Sequence, residues 1–175
     1  MRFQVLDSSR VFIDLRAAGL LRAIAHSPTL RAVPEPFALE FVDGEAVVSA
    51  RFRVEAIELP EGMSAGDRDK MRENLLGPDV LDAARHPAVE FRGRYEGTTE
   101  AGTLSGDLVV RGFPARVSIP VRVARQWETF AADGAWQGTL GGLGVKPYRA
   151  LLGAIKLEDW IGLRLETRFR EASGA

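Results

Sequence analysis

Strict alternation of apolar and polar residues is the feature that most constrains how this chain folds. Every second residue of segment 116–125 is apolar, namely Val117, Ile119, Val121 and Val123. Segment 161–170 repeats the pattern with Ile161, Leu163, Leu165, Thr167 and Phe169. A period of two residues is that of a β-strand with one face against a core. Because proline has no amide hydrogen to donate to a neighbouring strand, Pro120 predicts that the strand at 116–125 lies at a sheet edge or contains a bulge.

Shorter runs of the same kind recur along the chain, and turn residues separate them. The runs are Val11–Leu15, Phe37–Phe41, Val47–Val54, Ala88–Tyr95 and Thr103–Arg111. Asp43–Gly44 and Asp133–Gly134 predict hairpins, and 111–114 predicts a tight corner. Strands joined so closely must be antiparallel. We therefore expect a mainly all-β fold, a single antiparallel barrel of about eight strands in one domain over residues 1–175.

One stretch breaks the strand pattern and predicts helix. Ser64 to Asp67 is similar to a capping box, which would begin a helix that ends near Leu76. Gly77–Pro78 would then begin a short second helix that ends before His86–Pro87. This helical insert near 64–85 suits a lid or plug over one end of a barrel. A weaker helical signal covers 147–153.

Composition excludes several classes of protein and site. The chain has 175 residues, no cysteine and a formal net charge of −1. Disulfides and thiolate metal sites are therefore excluded, and no extended basic field favours nucleic acid. No apolar stretch approaches the roughly 20 residues of a transmembrane helix, and no secretory signal begins the chain. These features predict a cytoplasmic protein.

No motif of catalysis or cofactor binding is present, so we expect neither an enzyme nor a metal or cofactor site. No serine lies in a Gly-x-Ser-x-Gly elbow, and the glycine-rich segment 141–144 lacks the residues of a nucleotide loop. The two histidines, His26 and His86, have no ligand spacing. His86 suits a helix end, and His26 suits a loop or barrel rim, where it could act as an acid or base.

Several segments together resemble the YceI family. They are Arg68–Met71, Leu81–Phe91, Leu104–Gly112, Gly144–Tyr148 and Gly153–Asp159. They are similar to the family's Arg-Asp helix start, its (Tyr/His)-Pro-x-(Ile/Val)-x-Phe strand entry, its Gly-x-Leu-x-(Ile/Val)-(Arg/Lys)-Gly strand and a late segment before the last strand. The match covers roughly the C-terminal two-thirds. The N-terminal third departs from exported members at Ala25–Thr29, which indicates a cytoplasmic, bacterial branch.

The resemblance implies a lipocalin-like barrel that binds a long apolar molecule, a polyisoprenoid or a fatty-acid derivative. The residues expected at that ligand are Phe91, Val117, Ile119, Val121, Leu163 and Leu165 in the cavity, with Trp160 and His26 near its mouth. Two alternatives remain open: a packed barrel that acts through a protein partner or as a homodimer, and an enzyme that uses the same cavity. Arginine rows at 51/53 and 164/168 lie either outside the barrel or inside it, where they would hold an anionic head group.

Overall fold

The alternating segments pair side by side into one antiparallel sheet. The computed structural model describes residues 1–18, 27–150 and 155–172. The strands in these residues are β1 (Arg2–Val5), β2 (Arg10–Ala18), β3 (Thr29–Ala32), β4 (Ala38–Val42), β5 (Glu45–Arg53), β6 (Ala88–Gly97), β7 (Ala101–Val110), β8 (Phe113–Gln126), β9 (Thr129–Gly138), β10 (Arg149–Ala150) and β11 (Ile155–Glu171). The helices are α1 (Ala65–Leu76) and two 3-10 turns, Val54–Ala56 and Gly141–Leu143.

Eight of the strands form a closed ring in the order β1-β4-β5-β6-β7-β8-β9-β11, and the pairing of β11 with β1 completes it. The expected barrel of about eight antiparallel strands is confirmed. β11 is long enough to pair with β1 through Phe169–Glu171 and with β2 through Lys156–Glu166. β2 therefore continues the line of β1, with β3 beside it. Because the strands alternate in direction, every connection lies at one of two ends of the ring.

The two ends of the ring differ in how they are covered. At the end called here the open end, tight turns join β4 to β5, β6 to β7 and β8 to β9. At the opposite, closed end, the chain leaves the ring for the long segments 54–87 and 139–150. These segments pack over that end with side chains that are at most 6% exposed, including Ile57, Leu59, Leu140 and Leu143. The closed end is therefore plugged by an apolar core.

The helical insert differs in part from its prediction. α1 begins after Ser64, whose hydroxyl accepts a hydrogen bond from the amide of Asp67 at 3.1 Å, as expected for an N-cap. The predicted second helix is wrong, because residues 78–85 form consecutive turns. The amide of Asp82 donates to the carbonyl of Gly77 at 2.8 Å, and the φ of Asp82 is 48°. This left-handed residue interrupts the series of helical hydrogen bonds that a helix would need.

Three further predictions about local structure are corrected. Within 147–150 no helix forms, since Arg149–Ala150 is strand β10 and pairs with Ile155 and Lys156; residues 151–153 lie outside the described residues. Asp133–Gly134 lies inside β9, and the hairpin turn falls at Trp127–Glu128. β8 as a whole is not an edge strand, but its ladder to β9 spans only Val121–Gln126, so the edge predicted from Pro120 holds for the part of β8 up to that residue.

Candidate functional site

An apolar cavity lies inside the barrel, lined by residues from Phe41 and Thr98 at the open end to Phe52 and Leu108 toward the closed end. Its volume is about 190 Å³, larger than the ~150 Å³ cavity that accepts benzene in an engineered protein core. Each strand of the ring contributes inward side chains, from Phe3 on β1 to Leu165 on β11. Among the lining residues that the structure describes, none is charged and none is histidine. The cavity is therefore suited to hydrocarbon and offers no counter-ion to a buried charge.

Six of the predicted ligand-binding residues line this cavity: Phe91, Val117, Ile119, Val121, Leu163 and Leu165. Trp160 does not. It lies on the outer face of β11, out of phase with Ile161 and Leu163, and its ring is 3.8 Å from the guanidinium carbon of Arg16. Because successive strand residues point to opposite faces, the same alternation that places Leu163 inside directs Trp160 outside. His26 lies outside the described residues.

Aromatic residues at the open end were missed by the sequence analysis as parts of the site. Three pairs of rings lie there, with centroids 5.1 Å apart for Phe3–Phe130, 6.0 Å for Phe37–Phe169 and 6.1 Å for Phe41–Tyr95. All six line the cavity. The signal that could have found most of them is the alternation itself, since Phe37 and Phe169 each lie in a recognised alternating run.

Inward-facing glycines leave room for aromatic rings to lie against the barrel wall, so these rings do not fill the cavity. Gly93 of β6 and Gly106 of β7 are cross-strand partners. A Cβ atom on either would lie 2.6 or 2.8 Å from Cζ of Phe91, so this ring fills the space that two side chains would otherwise take. Tyr95 lies against Gly102 in the same way, at 2.6 Å. The rings thus lie along the wall of the barrel and leave its axis open.

The few polar groups of the lining are hydroxyls, and most of them are bound to the barrel's own backbone. The hydroxyl of Tyr95 donates to the carbonyl of Thr98 at 2.6 Å, and that of Thr167 donates to the carbonyl of Ala132 at 2.7 Å. Burial raises the pKa of Tyr95 above its ordinary value, so the phenol is neutral near pH 7. In the described part of the chain, no buried side-chain nitrogen or oxygen lacks a hydrogen-bond partner.

The arginine rows lie on the outer face of the barrel, so the alternative of an inward row is wrong. Arg51 and Arg53 alternate with the inward residue Phe52 of β5. Arg168 forms a 2.7 Å ion pair with Asp133, and Arg164 forms one of the same length with Asp14. These ion pairs join neighbouring strands on the solvent side and take no part in lining the cavity.

Within residues 1–18, 27–150 and 155–172, no three acidic or histidine side chains are grouped as the ligands of a metal ion would be. The described helices are also too short and too polar for any of them to cross a membrane.

Comparison with known proteins relates this architecture to one family and to several solved structures. Residues 27–165 match the YceI-like domain family. The crystal structure of Burkholderia cenocepacia BcnA is similar with a TM-score of 0.68 and 15% identity, over 91% of this chain and 95% of that one. The YceI protein of Campylobacter jejuni is similar with a TM-score of 0.57 and 14% identity, over 82% of each chain. At such identities these structures are evidence for the fold alone. None of the curated protein sequences is significantly similar to this chain.

Proposed function

Because the chain belongs to the YceI-like family, we propose that its barrel binds a long apolar ligand and carries or sequesters it without catalysis. The observation that carries this proposal is the uncharged cavity inside the ring. The ligand is a polyisoprenoid or a fatty-acid derivative, with its hydrocarbon part inside the barrel. Each buried CH₂ group contributes about 0.8 kcal/mol to such binding.

The two ends of the barrel support a single direction of entry. The closed end is covered by a plug of buried apolar side chains such as Leu59 and Leu143, which are 3% and 4% exposed. At the open end the cavity is bordered by aromatic rings and by the turn residues Thr98 and Thr99. The hydrocarbon tail therefore enters from the open end, and any polar or charged head group stays there, where water can solvate it.

The chemistry of the lining favours binding over catalysis. Tyr95 is the one titratable side chain among the lining residues that the structure describes, and its phenol is held neutral. General acid–base catalysis needs a group whose pKa lies near the working pH, and a neutral phenol with a raised pKa does not meet that need. A binding role requires only shape and an apolar surface.

Native mass spectrometry of protein purified from its own host tests the proposal, followed by solvent extraction of whatever is bound. We expect one lipid of discrete mass at stoichiometric level. Protein that is empty and gains no thermal stability from added prenyl alcohols or fatty acids would overturn the proposal, because a ligand that binds only the folded state must stabilise it.

A variant that fills the cavity tests where the ligand lies. Ala132→Trp places an indole among the lining residues of β9, and we expect it to weaken binding of a prenyl alcohol by at least about tenfold. Ala135→Trp is the matched control, since Ala135 lies on the outer face of the same strand and is exposed. Equal affinities in the two variants, both shown to be folded by circular dichroism, would place the ligand elsewhere.

A further inference from the structure

Trp127 is the most exposed large apolar side chain in the described residues, at 96% exposure. It occupies the tight turn between β8 and β9 with a φ of 58°. For a bulky residue this left-handed conformation is unfavourable, and glycine or asparagine would adopt it at lower cost. Neither packing nor turn geometry accounts for tryptophan at this position. The side chain is therefore placed for contact with something outside the barrel.

The turn that carries Trp127 is part of the open end. Val121 and Val123 of β8, and Phe130 and Ala132 of β9, all line the cavity. The last ladder pair of β8 with β7 is Arg122–Ala101, so the tip of the hairpin extends four residues beyond it, to Gln126. A surface that buries Trp127 would consequently lie against the opening of the cavity.

The charges around the open end divide into two arcs. On the arc formed by β8, β9, β11 and β1, the three cations Arg125, Arg170 and Arg2 outnumber the two carboxylates Glu128 and Glu171. No described carboxylate lies within 4.0 Å of any of these three arginines, which therefore keep their charge for an outside partner. The opposite arc, formed by the β4–β5 and β6–β7 hairpins, carries Asp43, Glu96 and Glu100.

We propose that the β8–β9 side of the open end docks on the surface of a lipid bilayer that contains anionic lipids, with the indole of Trp127 in the interfacial layer. Tryptophan is the residue that favours this layer, because its ring is apolar and its N–H can remain hydrated. Arginines beside it add attraction to anionic head groups, about fivefold in partition for each arginine near the surface. The acidic arc is repelled by the same head groups, so the barrel docks tilted onto its basic arc. Docking in this orientation sets the cavity opening against lipid.

Partition of the full chain onto vesicles made of equal parts phosphatidylcholine and phosphatidylglycerol tests the proposal. We expect the wild-type protein to sediment with these vesicles and its tryptophan emission to shift to shorter wavelength. Trp127→Ala should lower the partition coefficient by about tenfold or more and remove the shift. Val47→Ser is the matched control, because Val47 is 69% exposed on the outer face of β5, three strands away from β8 in the ring. We expect it to bind as the wild type does.

A charge variant tests the second part of the contact. Arg125→Gln combined with Arg170→Gln should weaken partition onto the anionic vesicles by about thirtyfold, and change partition onto pure phosphatidylcholine little. Failure of the wild type to partition, or undiminished partition of Trp127→Ala, would overturn the proposal. A dimer that dissociates in Trp127→Ala without any vesicle binding would also overturn it, in favour of a second copy of the chain as the partner. Vesicle partition measures docking and requires no transfer of a ligand. Its outcome therefore does not depend on whether the cavity binds a lipid.

Discussion

On the outer face of the barrel, Asp14 of β2 accepts two hydrogen bonds from Arg164 of β11, at 2.7 Å from Nε and 3.1 Å from Nη2. The hydroxyl of Thr29 donates to the same carboxylate at 2.8 Å. These partners, Arg164 first, hold the pKa of Asp14 below its ordinary value. A depressed pKa stabilises the folded state above the unfolded pKa of about 3.9, and this stabilisation is lost as the pH falls through the lower, folded value.

We therefore expect Asp14→Asn to lower the free energy of unfolding at pH 7 by about 0.5–1 kcal/mol, a modest value because the pair is partly solvated. The difference from the wild type should shrink as the pH falls below about 4, because the wild-type carboxyl is then protonated and, like the amide of asparagine, carries no charge. Urea denaturation across this pH range measures it. Asp107→Asn, which removes a more exposed ion pair with Arg116, is the control and should have a smaller effect. A difference that stays constant down to pH 2 would contradict the assignment.

Among the strands, the break between β1 and β2 depends on one buried hydroxyl. Residues 6–9 leave the line of the strand, and the side chain of Ser9 returns to β11 in place of a backbone group. Its Oγ accepts a hydrogen bond from the amide of Arg168 at 2.9 Å and donates to the carbonyl of the same residue at 3.2 Å. Ser9 is 0% exposed, so water cannot replace these bonds.

Ser9→Ala should lower the free energy of unfolding by about 1–3 kcal/mol, because it leaves the backbone amide of Arg168 without its partner, whereas the carbonyl of Arg168 keeps a hydrogen bond from the amide of Leu6 at 2.8 Å. Ser8→Ala is the natural control, as Ser8 is the neighbouring residue and is exposed. Urea denaturation of the two variants compares them directly. A Ser9→Ala variant as stable as Ser8→Ala would show that the backbone closes this gap without the hydroxyl.

Strand periodicity was sufficient to predict the barrel and six inward residues. Because side chains alternate along a strand, one residue known to be buried assigns every other residue of that strand to the inner or the outer face. It failed at Trp160 because the residue was chosen for its type and not for its phase. It could not predict that the barrel is hollow. That property depends on the summed volume of inward side chains, which glycines such as Gly93 and Gly106 reduce at positions where a strand pattern leads one to expect bulk.

Taken as a whole, the barrel is plugged by a packed core at its closed end and hollow inside the ring. Leu59 is 3% exposed within the core of the closed end, whereas Leu104 lines the cavity. Removing a side chain costs the transfer energy of its atoms and the contacts of its neighbours, and neighbours that already border empty space have fewer contacts to lose. Most of the stability from packing therefore lies in the closed half.

Leu59→Ala should consequently lower the free energy of unfolding by about 2–5 kcal/mol, and Leu104→Ala by about half as much or less. The two substitutions remove the same atoms, so each serves as the control for the other. Urea denaturation of ligand-depleted protein provides the measurement. Equal losses would indicate that the open half is as tightly packed as the closed half and that the cavity is filled in solution.

The position of β11 in the ring also has a consequence for the order in which the protein can be made. This last strand pairs with β9, with β2 and, to close the ring, with β1. Until residues 155–171 are available, β2 has only β3 to pair with, and β9 has only β8. Contacts that join the two ends of a chain are slow to form. Without β11 the ring is an open sheet whose edge strands, β9 and β1, present unpaired backbone groups.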